Sequence, residues 1–129
     1  MDNRKSLNYK IGFADSEILS YNSNNYSLFF YLQTWNGVIL KIEFKEYIHF
    51  LDTVCIDVSD ICENDSSSTL KKALENEFNE IPEDHGFKLY QFIDTNDEAA
   101  VEIVSKDVLI TEVNNSSNWH EDSSLIGNT

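Results

Sequence analysis

The sequence predicts an α+β domain in which two antiparallel β-meanders, about six to eight strands in all, flank one α-helix that packs on the sheet. The first meander is indicated by two apolar runs that flank Asn36 and Gly37, a strong hairpin signal. The helix is indicated by apolar residues that recur at helical spacing from Leu70 until Pro82. The second meander is indicated by the alternation of apolar and polar residues that resumes after Gly86.

A short strand is expected before the hairpin. Ile18 and Leu19 are followed by a polar cluster at 22–25, which predicts a strand that ends in a turn. This strand would pair antiparallel with the one that begins near Tyr26 and would complete the first meander.

The register of the hairpin follows from its apolar pattern. A three-residue loop at 35–37 with Gly37 left-handed pairs Leu32 with Leu40 and gives an apolar face. A two-residue turn would instead pair Leu32 with Lys41 and mix charge into that face, so we expect the three-residue loop. The opposite face is mixed in character and holds Phe29, Tyr31, Gln33, Ile39, Lys41 and Glu43.

Alternation continues after the hairpin through 47–51, bends near 52–53 and resumes at 54–58. The polar break at 63–69 then supplies serine N-caps for the helix, which we place at about 69–81. Lysines in its first turn and acids at its far end oppose the helix dipole. Packing against the sheet must therefore stabilise this helix.

The second meander is predicted to run through 87–93, to turn at 95–98 and to return through 99–103. A turn at 105–106 would lead into a last strand that ends near Val113.

Length and charge limit the class of protein. The chain has 129 residues, which fits one domain at 1–114 followed by a disordered polar tail at 115–129. Its 23 acidic and 9 basic residues give a net charge of −14. This charge disfavours nucleic acids and membranes as partners and favours a basic protein. The alternative is that the acidity only maintains solubility.

The N-terminal residues lack the apolar core of a signal peptide, and no apolar run approaches the ~18 residues of a membrane span. We therefore expect a soluble cytoplasmic protein in which Cys55 and Cys62 are not disulfide-bonded.

Motifs for catalysis or metal binding are not found in the sequence. None of the four glycines forms a phosphate-binding loop, and none of the three histidines lies in a nucleophile motif. His49 with Cys55 and Cys62 lacks the paired-cysteine spacing of a zinc site. The segment 94–98 imitates a calcium loop, but Ala99 stands where that loop needs glycine, which favours an Asx turn. We expect no enzymatic activity, no cofactor and no metal.

Two acids of the helix are candidates for binding. Glu77 falls inside the apolar stripe, where a carboxylate either extends past the sheet edge to solvent or faces a ligand. Glu75 lies on the outer face and would meet a basic partner.

Aromatic residues of the hairpin are the other candidates. Phe29, Tyr31 and Trp35 lie on the mixed face together with Glu43. If that face is exposed, the rings and the acid form an interaction surface, and if it is covered, the rings belong to the core. Both alternatives stay open from the sequence.

The order of parts resembles small acidic immunity proteins of bacterial polymorphic-toxin systems. The features that carry the resemblance are F-A-D-S-E-I-L at 13–19, W-N-G at 35–37, an I-x-F strand end at 42–44, the polar break and the helix. One such family opens with a Phe-His-Asp motif, and Ala14 stands here at the place of the histidine. The resemblance covers the first half of the chain and implies a non-catalytic protein that binds and blocks a toxin, commonly a basic nuclease.

We therefore expect a non-catalytic binding protein, an immunity-type inhibitor of a basic partner. A small enzyme or small-molecule-binding protein with a cleft between helix and sheet is the alternative. The sequence leaves the oligomeric state open.

Overall fold

The computed structural model describes residues 4–7, 9–53, 57–65 and 67–113. These residues form two antiparallel sheets of five strands each and one short helix, so the α+β class is confirmed in broad terms. The ten strands exceed the expected number, and their arrangement differs from two meanders. The elements are β1 (Lys5–Ser6), β2 (Ser16–Ser23), β3 (Ser27–Gln33), β4 (Ile39–Lys45), β5 (His49–Asp52), β6 (Asp57–Val58), β7 (Asp60–Asn64), α1 (Ser68–Glu77), β8 (Lys88–Ile93), β9 (Ala99–Ser105) and β10 (Asp107–Val113).

Sheet 1 has the strand order β10-β4-β3-β2-β6 and contains the first predicted meander. In its central hairpin Leu32 pairs with Leu40, and the Thr34 amide donates to the Val38 carbonyl at 2.8 Å. Gly37 has a φ of 84°. The three-residue loop and its register are confirmed, because a bulged loop of this kind needs a left-handed residue.

Sheet 2 has the strand order β1-β7-β8-β9-β5. Strands β8 and β9 form the predicted hairpin, but β10 pairs with β4 of sheet 1, so the expected continuous second meander is wrong there. The turn before β10 is anchored to sheet 1. Ser105 Oγ donates to the Lys45 carbonyl at 2.7 Å, and the Lys106 amide donates to the same oxygen at 3.1 Å.

The main core lies between the two sheets. Strand alternation turns one face of each sheet inward, and the ring centroids of Phe30 and Phe92 meet at 4.8 Å across the interface. The fully buried members of this core come from both sheets: Leu28, Phe30, Leu32, Leu40, Ile42, Phe44, Val58, Ile61, Phe92, Val101 and Ile103.

Helix α1 packs on the outer face of sheet 2. It begins after Ser67, whose Oγ accepts the Leu70 amide at 3.0 Å as an N-cap. The buried residues of the helix join three residues of the sheet region in a second, smaller core. The members of this core are Leu70, Ala73, Leu74, Phe87, Leu89 and Val104.

The helix ends at Glu77, and the predicted end at 81 is wrong. Phe78 adopts an extended conformation, and no basic side chain stabilises the last turn. Pro82 lacks an amide donor and disfavours a helical conformation at Ile81, so the apolar spacing up to Ile81 does not extend the helix.

The turn between β8 and β9 uses the expected Asx chemistry, because the Asp94 carboxylate accepts the amides of Asn96 at 2.8 Å and Glu98 at 3.0 Å. Cys55 and the predicted tail at 115–129 lie outside the described residues, so the expectations about them stay predictions. No helix in the described part of the chain is long and apolar enough to cross a membrane.

Candidate functional site

An open cavity of about 320 Å³ lies where the end of α1 meets turns from both sheets. Its walls come from the β2–β3 turn, the segment after β4, the end of the helix, the entry to β8 and the β9–β10 turn. The residues that line it are Asn25, Tyr26, Glu46, Tyr47, Ile48, Glu77, Phe78, Phe87 and Lys106.

The sheet 1 wall is fixed by hydrogen bonds from three backbone amides. Asn24 Oδ1 accepts the amides of Tyr26 at 2.9 Å and Ser27 at 2.8 Å, which shapes the turn. The Glu46 amide donates to the Tyr26 carbonyl at 2.7 Å, and Glu46 holds a left-handed φ of 51°. Glu46 is therefore held beside Tyr26, whose side chain is 74% exposed.

The helix wall is aromatic. The Phe78 amide donates to the Leu74 carbonyl at 2.9 Å, and its ring centroid lies 5.9 Å from that of Phe87. The Phe87 amide donates to His85 Nδ1 at 2.9 Å, which fixes the entry to β8. Phe87 is buried and Phe78 half-buried, so the two rings form an apolar part of the lining, which they share with the exposed residue Glu77.

A cation already occupies one aromatic face in this cavity. Lys106 Nζ lies 5.7 Å from the centroid of the Phe87 ring, within range of a cation–π interaction. Its stem lies beside Gly86, where an added Cβ would come 3.6 Å from Lys106 Cγ.

The electrostatics of the cavity favour a cation. Glu46 and Glu77 each carry one negative charge and Lys106 carries one positive charge, which leaves a formal charge of −1 on the lining. The helix end adds further acids, and we call its exposed carboxylates the acidic edge. The acidic edge consists of Glu75, Glu77, Glu80, Glu83 and Asp84.

The structure places one of the predicted binding residues in this cavity. Glu77 lines the cavity and is exposed, whereas Glu75, two residues earlier on the helix, is exposed but lies outside the lining. Glu43, the predicted binding residue on the hairpin, is half-buried and accepts the Ser27 hydroxyl at 2.9 Å.

The hairpin aromatics do not form an exposed surface together. Phe29 is 7% and Tyr31 0% exposed, so the exposed alternative is wrong for both rings. Trp35 is 65% exposed, but it follows β3 whereas Tyr26 precedes it. These two residues are roughly 25–30 Å apart at the strand's rise per residue, so Trp35 is remote from the cavity.

Sequence reasoning missed most of the cavity. Tyr26, Glu46, Phe87 and Lys106 lie in four separate turns or strand ends, and no spacing in the sequence joins them. A positive φ at a glutamate has no sequence signal, because glutamate rarely adopts it. Glu77 alone was indicated, by its position within the apolar stripe.

Metal ligation finds no support in the described residues, where no three His, Cys, Asp or Glu side chains are grouped to hold an ion. The Cys62 thiol is buried and lies 3.5 Å from Asp60 Oδ2 as a hydrogen-bond donor. No protein-family model matches the chain, and no curated protein and no solved structure matches it significantly.

Proposed function

We propose that this protein is a non-catalytic binding protein of the immunity type, which inhibits a basic partner such as a toxin nuclease. The observation that carries the proposal is the acidic edge, a run of exposed acids in the last turn of α1 and the segment after it, one of which, Glu77, lines the open cavity. Residues 75–84 include five acids and no lysine or arginine, and no basic residue lies in the last helical turn, so no cation within this segment offsets their like charges. A basic partner would relieve this repulsion and would be attracted by the net charge of −14.

Exposed aromatic area beside the acids supports the same role. Tyr26 stands at the rim of the cavity, and tyrosine is enriched where protein interfaces bury their centre. Acids at a rim mainly speed association, whereas a buried aromatic contact slows dissociation. The resemblance of 13–19 and 35–37 to immunity proteins supports inhibition rather than another kind of binding.

Affinity capture from the native host, followed by an activity assay, tests the proposal. Tagged protein should recover a basic protein at ~50 mM salt, where screening is weak, and much less of it at ~500 mM. The purified partner should then lose its activity when the tagged protein is added in equimolar amount. A matched variant with Glu75→Gln, Glu80→Gln and Glu83→Gln should capture less. Recovery of no basic protein at low salt, or of one that stays fully active, would contradict the proposal.

A small-molecule-binding protein or small enzyme is the second candidate, and the cavity between helix and sheet is the observation that favours it. Among the described residues its lining offers two carboxylates and one ammonium group but no histidine, serine or cysteine for a nucleophile and base pair. The genomic neighbourhood separates the two candidates. A large toxin gene directly upstream supports inhibition, and a metabolic gene cluster supports the second candidate.

A further inference from the structure

We propose that the cavity at the end of α1 receives a basic side chain of the partner, the ammonium or guanidinium group at the end of a lysine or arginine stem. This inference rests on the proposed function and names the site that holds the partner. It is carried by three properties of the cavity: its aromatic walls, its charge and its size.

The aromatic walls match an alkyl cation. The Lys106 ammonium already lies 5.7 Å from the centroid of the Phe87 ring, which shows that this aromatic part of the lining tolerates a cation at close range. Tyr26 and Tyr47 add two further rings to the lining, and Tyr26 is largely exposed and unhindered at the rim. The methylene stem of an entering side chain would pack on Ile48 while its charged group meets the rings.

The lining carries a formal charge of −1. Glu46 comes from sheet 1 and Glu77 from the helix, so the two carboxylates approach the cavity from different elements. Lys106 balances one of them. A single entering cation balances the other, whereas an anion would add to the negative charge of the acidic edge.

The size of the cavity allows one side chain to enter. Its volume of about 320 Å³ lies at the lower end of the range of ligand pockets, roughly 300–1,000 Å³, and is enough for a lysine or arginine side chain. The cavity is open to solvent, so a side chain can enter while the backbone that bears it stays on the surface.

A titration of the full chain with small probes tests the inference directly. The probes are Nα-acetyl-lysine methylamide and Nα-acetyl-arginine methylamide, with the norleucine derivative as the uncharged control. Amide signals of Tyr26, Glu46 and Phe87 should shift with both cations at ~50 mM salt, and Trp35 should not respond. We expect the lysine and arginine probes each to bind about tenfold more tightly than the norleucine derivative. Equal binding of charged and uncharged probes would overturn the inference.

Charge variants separate ligand contact from structural damage. Glu77→Gln should weaken lysine-probe binding about fivefold, and Glu75→Gln, outside the lining, should change it less than twofold. Lys106→Met keeps the stem but removes the competing charge, so it should strengthen binding about threefold. Thermal unfolding of each variant confirms folding. If these substitutions acted only by damaging the structure of the cavity, Lys106→Met would weaken probe binding as Glu77→Gln does. Weaker binding of the lysine probe by Lys106→Met therefore contradicts the inference.

The inference and the proposed function fail in different ways. If the cation probes bind in the cavity but no basic protein is captured, the proposed function fails alone. If a basic partner is captured and inhibited but Glu77→Gln and Lys106→Met bind it like wild type, the cavity assignment fails alone.

Discussion

Gly37 shows how strongly the conformation of one residue constrains this fold. Its φ is 84°, and in the described part of the chain no heavy atom beyond its chain neighbours lies within 4 Å of the place of an added Cβ. A side chain would therefore have room, and only backbone strain would oppose it. We predict that Gly37→Val lowers the free energy of unfolding by about 1–2 kcal/mol, as measured by urea denaturation.

The matched control for that variant is Gly12→Val. Gly12 also has open space around an added Cβ, but it lacks a left-handed φ. We expect it to change the free energy of unfolding by less than about 0.5 kcal/mol. Equal losses in both variants would show that strain at Gly37 is not the cause.

Tyr90 links stability to alkaline pH. Burial raises the pKa of Tyr90 from 10.0 to about 12, and the charges of Glu63 and Asp107 add to the effect. Between these pH values the folded protein keeps the proton while the unfolded chain releases it. This contribution to stability is therefore complete below about pH 10 and is lost as the pH rises towards 12.

The loss of stability caused by Tyr90 can be measured by comparing wild type with Tyr90→Phe. From about pH 9 to about pH 11.5 the free energy of unfolding should fall by about 2 kcal/mol more in wild type than in Tyr90→Phe, because the phenylalanine does not titrate. Urea denaturation at both pH values gives this difference. Parallel pH profiles would rule out the raised pKa.

At the scale of elements, α1 depends on its cap and its packing, because its charges oppose its dipole. Ser67 satisfies the Leu70 amide. We predict that Ser67→Ala lowers the free energy of unfolding by about 1 kcal/mol. Ser68→Ala, at the next and exposed position, is the control, and urea denaturation should show less than about 0.5 kcal/mol for it. A loss as large at Ser68 would mean that the cap is not the cause.

Local elements were predictable, and long-range pairing was not. The β3–β4 register follows from residues within one hairpin, so its apolar pattern was sufficient. The transfer of β10 to sheet 1 depends on Ser105 and Lys45, which are 60 positions apart and share no sequence pattern. The helix was found by its period, but its end depends on Phe78 turning to an extended conformation.

The candidate site was predictable only at Glu77. A carboxylate inside an apolar stripe is unusual enough to mark a position, and Glu77 lines the cavity. Phe29 and Tyr31 were candidate binding residues but are buried, because the sequence of one strand does not show whether its second face is covered. The burial of both faces of β3 is a property of the whole fold.

At the scale of the whole molecule, the negative charge exceeds what internal pairs balance. Lys10–Glu112 at 2.7 Å and Lys88–Glu63 at 3.6 Å are two such pairs, and even if all 9 basic residues were paired one to one, 14 of the 23 acids would stay unbalanced. We predict that raising salt from ~50 to ~500 mM raises the Tm, since screening weakens the remaining repulsion. The triple variant Glu75→Gln, Glu80→Gln and Glu83→Gln should respond less in the same thermal scan. A Tm that falls with salt would contradict this.

Rate constants for the complex with the captured partner, measured as a function of ionic strength, test the binding role most directly. From ~50 to ~500 mM salt, the association rate should fall at least about tenfold and the dissociation rate should change less than about threefold. Glu75→Lys should slow association, and Glu77→Gln should speed dissociation. An association rate that is independent of salt and unaffected by Glu75→Lys would contradict the proposed role of the acidic edge.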